Sequence, residues 1–231
     1  MTMIADNLQR VRTRIAQVAL ACGRPSGAIT LLAVSKTFGA EAVRQAHAAG
    51  QTAFGENYIQ EAVDKITALA DLPLQWHCIG PIQSNKTRLV AAHFDWVHSV
   101  DRLKIAQRLS EQRPQGKAPL QLCIQVNIDG GATKAGVAPD AALELARQIQ
   151  ALPNLRLRGL MTIPEPAADF AAALAVHQRA RALFDALNVQ GLGLDTLSMG
   201  MTADLEAAVQ AGSTMVRVGT AIFGNRDYGN A

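Results

Sequence analysis

Lys36 is the side chain best placed for covalent chemistry. It follows the apolar run Leu31 to Val34 and then Ser35. Desolvation at the end of such a run favours the neutral amine, the form that attacks a carbonyl. A surface lysine that merely starts a loop is the other reading of that position. A second signal lies in LSMGMTADLE and VRVGTAIFG, where Ser198, Gly200, Gly219 and Thr220 combine small side chains with expected turns into helices. Free backbone N–H groups and hydroxyls at such turns can surround a phosphate. Thr202 is the alternative there, as a plain cap for a helix starting near Ala203, with Asp204 and Glu206 favouring its N-terminus. The third signal is Arg217. Inside the apolar run Met215 to Val218, its guanidinium needs acceptors, from a structural carboxylate or from a ligand over the barrel mouth. Asn57, closing FGEN, and His77, inside WHCIG, are weaker candidates, and His77 is expected to be a satisfied interior histidine. Glu56 and Lys134 are expected on the rim without chemistry. HExxH, GxSxG, GxGxxG and GxxxxGK do not occur in the sequence, which removes the main support for zinc-protease, serine-hydrolase, dinucleotide and P-loop readings.

The elements that must carry these residues alternate. Eight short runs read as strands: Ile29 to Ser35, Thr52 to Gly55, Gln75 to Ile79, Trp96 to Ser99, Leu120 to Asn127, Leu157 to Thr162, Thr196 to Met199 and Met215 to Val218. Segments rich in Ala, Leu, Gln and charged residues separate them: Ala40 to Ala49, Tyr58 to Leu69, Lys86 to Ala92, Arg102 to Gln112, Asp140 to Ala151, Ala168 to Leu187 and Ala203 to Ala211. Strands that look apolar on both faces and are separated by helices imply a parallel sheet. Eight such units point to a closed (β/α)8 barrel of the α/β class, with an open doubly wound sheet as the alternative. Val43 to Gly55 and Leu205 to Gly219 repeat one plan of helix, Ala-Gly, strand and Gly, which places Gly50 and Gly212 at left-handed helix ends. Ahead of the first strand, Ile4, Leu8, Val11, Ile15 and Val18 draw one apolar stripe, so an extra N-terminal helix is expected, stopped by Gly23 and Pro25.

With 231 residues, the chain has the length of one such barrel, and residues 1–231 are expected to form a single domain. Hydrophobic residues make up 49% and charged residues 18%, with no apolar run long enough for a membrane span. Met1 to Arg10 lacks the continuous apolar core of a secretory signal. A net charge of +3 does not argue for nucleic acid, and Arg10, Arg12, Arg14 and Arg24 are expected on a solvated helix face. Cys22, Cys78 and Cys123 are widely spaced and suit reduced thiols in the cytoplasm.

AVSKTF around Lys36, AFGENYIQE from Ala53, WHCIGPIQSNK from Trp76, RGLMTIP from Arg158 and LSMGMTADLEAAVQAGSTMVRVGTAIFG from Leu197 together resemble the YggS/PROSC family of pyridoxal phosphate homeostasis proteins. The likeness runs from about Ile29 to Tyr228 and is weakest at Asp129 to Ala132. It implies a TIM barrel like the N-terminal domain of alanine racemase (fold type III) that binds pyridoxal 5′-phosphate (PLP). Lys36 would be the Schiff-base lysine, with Ser198, Gly219 and Thr220 near the phosphate and Asn57 also in the site. Arg217 would face the pyridine nitrogen, where a cation discourages ring protonation and makes the ring a poorer electron sink.

Racemases resembling this fold draw a tyrosine from a second domain. Here the only tyrosines are Tyr58 and Tyr228, with no obvious second acid or base. The expectation is a monomeric, non-catalytic PLP carrier in intracellular PLP homeostasis that supplies apo-enzymes and binds neither nucleic acid nor membrane. A racemase-like enzyme and a cofactor-free Schiff-base aldolase on the same scaffold remain as rivals.

Overall fold

The computed structural model describes residues 2–131 and 134–224. In chain order its helices and strands are α1 (Met3–Ala21), β1 (Thr30–Val34), α2 (Ala40–Ala48), β2 (Ala53–Glu56), α3 (Ile59–Ala68), β3 (Gln75–Cys78), α4 (Thr87–His93), β4 (Trp96–Val100), α5 (Leu103–Gln112), β5 (Leu120–Gln125), α6 (Ala142–Gln150), β6 (Leu155–Met161), α7 (Phe170–Val189), β7 (Thr196–Ser198), α8 (Leu205–Gln210), β8 (Met215–Val218) and α9 (Thr220–Phe223). All eight strands pair in parallel in chain order. β8 returns to β1, from Thr30 opposite Met215 to Ala33 opposite Val218, and closes the barrel.

The period of two along each strand sorts residues between the two faces of the wall. Ala33, Phe54, Trp76, Cys78, Val97, Leu122, Ile124, Leu160, Leu197, Val216 and Val218 belong to the main core, packed against the helices. Their alternates face the barrel axis. There Leu32, Ala53 and Met215 form one small apolar cluster, and Trp96, Cys123 and Met161 another. The inner face also carries the buried polar residues His77, His98, Ser198 and Arg217, so the strands are less uniformly apolar than their composition suggests. At Gly159 any β-carbon would overlap the carbonyl of Thr196 on the next strand, so the β6–β7 seam depends on a residue without a side chain.

The expected stripe of α1 is buried at Ile4, Leu8, Val11 and Ile15, with Ala19 completing it, and Thr2 caps the helix by accepting the Ala5 N–H at 3.3 Å. The arginines of this region differ from expectation. Arg12 donates to the Ala49 carbonyl at 2.7 Å, Arg14 pairs with Glu206, and Arg24 donates to the carbonyls of Val209 at 2.7 Å and Ser213 at 2.6 Å. Three of the four therefore pin the N-terminal segment to the barrel's outer helices and are not a solvated face. Their stems reach over apolar surface to acceptors that periodicity along one helix cannot reveal.

Gly50 and Gly212 take φ of 83° and 100°, the left-handed conformation expected of them. Thr202 does not cap α8. That helix starts at Leu205 after Asp204, whose carboxylate accepts the Met201 N–H at 2.7 Å and ties down the turn. Among the described residues no helix is long and apolar enough to cross a membrane.

Candidate functional site

Lys36 stands two residues beyond β1, half-buried, in a turn whose flanks are tied to one buried ionic cluster. Before it, the Ser35 hydroxyl donates to Glu56 at 2.6 Å, and the Ser35 carbonyl accepts from the Lys65 ammonium at 2.9 Å. After it, Thr37 adopts φ 69°, and its N–H donates to Glu61 at 2.8 Å. Lys65 joins the two sides, 2.6 Å from Glu56 and 3.2 Å from Glu61. A β-carbon at positive φ is strained, so the Glu61 contact is what holds a threonine there. Glu56, read from sequence as a rim residue, is fully buried. Burial pushes its carboxyl above the ordinary range, and the Lys65 charge and hydrogen bond pull it back.

On the neighbouring strand β8, Arg217 lies opposite Leu32 of β1, and Gly219 rests against the backbone of Val34, where a β-carbon would meet the Val34 carbonyl at 3.2 Å. The Lys36 turn and the Gly219–Thr220 turn therefore leave the barrel side by side. Thr220 opens α9, in which the Ile222 and Phe223 N–H groups donate to the Gly219 carbonyl at 2.9 and 3.0 Å, while those of Thr220 and Ala221 have no acceptor within the helix. Asn57 follows β2 on the other flank of β1, and Gly80 sits so close to it that a side chain would strike the Asn57 backbone. Beyond β7, Gly200 takes φ 92°, and its carbonyl accepts the Arg217 N–H at 2.9 Å.

Arg217 is 4% exposed and donates to the Ser198 hydroxyl and to the Thr162 carbonyl, both at 2.8 Å. Among the described residues no carboxylate lies within salt-bridge distance of it, so neither acceptor neutralises its charge. Burial brings its pKa down to about 10, which leaves it cationic at neutral pH. Ser198 turns inward: its oxygen touches Arg217 and also His98, at 2.9 Å. His98 meets His77 at 2.9 Å, and His77 meets the Gln75 side-chain oxygen at 3.1 Å. His77 is thus the satisfied interior histidine that was expected.

Several residues here escaped the sequence reading. The Thr162 hydroxyl is buried at the carboxyl end of β6 with no protein partner in the described residues, which marks a polar position beside the Arg217 guanidinium. His98 could have been found by asking which alternate residues of WVHSV face inward, and Lys65 by asking what neutralises Glu56. Lys134 keeps its rim position, 3.2 Å from Glu165. Tyr228 and Ala132 lie outside the described residues.

The β7–α8 turn is held from below. Asp204 accepts from His177 at 2.9 Å as well as from Met201, and although burial raises its carboxyl, these hydrogen bonds bring it below the ordinary range. A depressed carboxyl contributes stability above its unfolded pKa, near 3.9, that is lost as pH falls through the folded value. Between pH 6 and 3 the thermal midpoint of Asp204→Asn should therefore fall less steeply than that of the parent. Equal slopes would show that Asp204 plays no part in the acid response.

A cleft of about 620 Å³ opens at the other end of the barrel, lined by Gln75, Asp95, Trp96, Arg113, Gln121 and Arg158. Its cations are already engaged: Arg113 donates to the carbonyls of Ala91, Phe94 and Ala118, and Arg158 to Asp195 and Gln121. In this architecture chemistry belongs to the carboxyl ends of the strands, where Lys36, Arg217 and Gly219 converge.

Residues 4–227 match the family model described as alanine racemase, N-terminal domain. A pyridoxal phosphate homeostasis protein of Pseudomonas aeruginosa is 62% identical over 99% of this chain and 98% of its own length, and one from Vibrio alginolyticus is 53% identical over 99% and 100%. Among solved structures, PipY of Synechococcus elongatus with PLP bound superposes with a TM-score of 0.84 at 39% identity, covering 96% of this chain and all of that one.

Proposed function

Because the chain belongs to the pyridoxal phosphate homeostasis protein family, we propose that it binds PLP as a Schiff base on Lys36 and passes it to apo-enzymes. One observation carries the reading. β1 and β8 deliver, along a single seam, an amine, a buried cation with no carboxylate at salt-bridge distance among the described residues, and a glycine turn packed against the Val34 backbone. Bound there, PLP would supply an aldehyde for the amine, a ring whose nitrogen can meet Arg217, and a phosphate.

The residues fit those parts in distinct ways. Lys36 offers its amine from a turn fixed on both sides. Arg217, held in one plane by Ser198 and Thr162, presents N–H groups, which suit an unprotonated ring nitrogen. Gly219 and Thr220 contribute backbone N–H groups to the phosphate. Ser198 acts through Arg217, because its oxygen is already shared between Arg217 and His98. Asn57 borders the amine from β2.

Borohydride reduction of the PLP-loaded protein followed by peptide mapping should place the added mass on Lys36, and Lys36→Ala should lose the label from that peptide. Transfer is tested separately. Loaded protein mixed with an apo-enzyme should restore activity faster than PLP leaves the loaded protein alone, and equal rates would defeat the carrier reading. Solvent deuterium entering the α-position of an amino acid at a useful rate would favour the racemase-like alternative.

A further inference from the structure

We propose that His77 and His98 form a positioning column that fixes the hydroxyl proton of Ser198 and, through it, the guanidinium of Arg217. The consequence at the ring rests on the cofactor reading above. The proton order does not.

A neutral imidazole has one donor and one acceptor, so a chain of them has a direction. The Gln75 oxygen at the foot of the column can only accept, which places the His77 proton on Nε2 and leaves Nδ1 bare. His98 must then donate from Nε2 to that nitrogen, at 2.9 Å, leaving its own Nδ1 bare. That nitrogen can only receive the Ser198 proton, at 2.9 Å. With its proton directed down the barrel, the Ser198 oxygen turns lone pairs toward Arg217, 2.8 Å away. Reversed, the chain would add an N–H to the Ser198 oxygen already taken by Arg217 and drive the hydroxyl proton toward the guanidinium side.

Both rings are fully buried, and burial holds His77 down to about 3 and His98 well below its ordinary value, with His77 and Arg217 adding to the effect on His98. A charged histidine would also place a second cation in a dry barrel beside Arg217. The groups around the column are Trp96, stacked on His77 at 5.2 Å, then Gln75, Ser198 and Arg217, so among the described residues no carboxylate favours the imidazolium. An amide does not relay protons, so with Gln75 at its foot the column orients and does not conduct.

The order can be read directly by histidine 15N NMR on the protein without cofactor, from pH 5.5 to 8.5. Both rings should remain neutral Nε2–H tautomers throughout. An Nδ1–H tautomer at either residue, or titration within that range, would overturn the proposal. The functional arm measures PLP affinity in Ser198→Ala, His98→Phe and the double variant. Each single change should weaken binding by about tenfold, and the double by no more than the worse single, since both act through one hydrogen bond to Arg217. Independent, multiplying losses would mean that the histidines do not act through Ser198. Should His98→Phe fail to fold, the NMR result still decides the proton order. A parent protein that does not bind PLP would sink the function proposed above, leaving the spectra to judge the column.

Discussion

Lys65→Met is expected to destabilise the protein by about 3–5 kcal/mol, because it strips the counter-charge from a fully buried carboxylate. Glu56 would keep the Ser35 hydroxyl at 2.6 Å but lose the ammonium, and its second oxygen already has no protein partner among the described residues. For a chain of this size, that corresponds to a fall of on the order of 10 °C in thermal midpoint. The pH dependence has a definite sign. Burial already raises the Glu56 carboxyl in the folded state, and loss of Lys65 raises it further, so the unfolded state releases the proton more readily. Stability of the variant should therefore decline as pH rises above the unfolded value near 4.3, and the deficit should be smaller at pH 5 than at pH 8. The double variant Glu56→Gln/Lys65→Met, which buries no charge, should recover most of the loss. If it is no more stable than Lys65→Met, the damage lies in packing and not in the unpaired carboxylate. Because the same cluster grips both flanks of Lys36, amide exchange at Thr37 should quicken in the single variant.

The second large effect is expected at Gly159. Alanine there would drive a methyl group into the backbone of Thr196, which cannot move without opening the β6–β7 ladder at Gly159–Thr196, Leu160–Leu197 and Met161–Ser198. Backbone cannot yield as a side-chain tip can, so the loss should exceed the ~4–5 kcal/mol that marks exceptional point substitutions. Little folded protein should be recovered, and what remains should melt far below the parent. The seam also sets the spacing between the Thr162 carbonyl and the Ser198 hydroxyl, the two acceptors of Arg217. A Gly159→Ala protein that folds normally would mean that the two strands can separate without harm to the barrel.

Lys36 and Arg217 could be singled out in the sequence because each breaks its local pattern, an amine ending an apolar strand and a guanidinium inside one. All eight strands were legible as short apolar runs between helix-forming segments, and their edges moved by only one or two residues, as at Leu155 where β6 begins earlier than its apolar run. Partnership was not legible. His98 and Ser198 are 100 residues apart, and only closure of the barrel brings them to 2.9 Å. Glu56 looked like a rim residue because the ammonium that allows its burial sits on the next helix, within a pattern that reads as ordinary amphipathic α3. The position of Ser198 at a strand end is visible in sequence, whereas its contacts with His98 and Arg217 depend on two other strands.

The seam between β1 and β8 also constrains the order in which the molecule can be assembled during synthesis. The strand before Lys36 leaves the ribosome ahead of β2 to β7, yet its partner β8 emerges only after them. Until then β1 has an open edge, and α1 lacks the Ile222, Val209 and Ser213 carbonyls that Asn7 and Arg24 use to hold it in place. A nascent chain would thus carry Lys36 without Arg217 and Gly219 beside it until β8 has emerged. Such long-range closure is slow compared with local helix formation, and the grouping of Lys36, Arg217 and Gly219 should arrive abruptly, with β8.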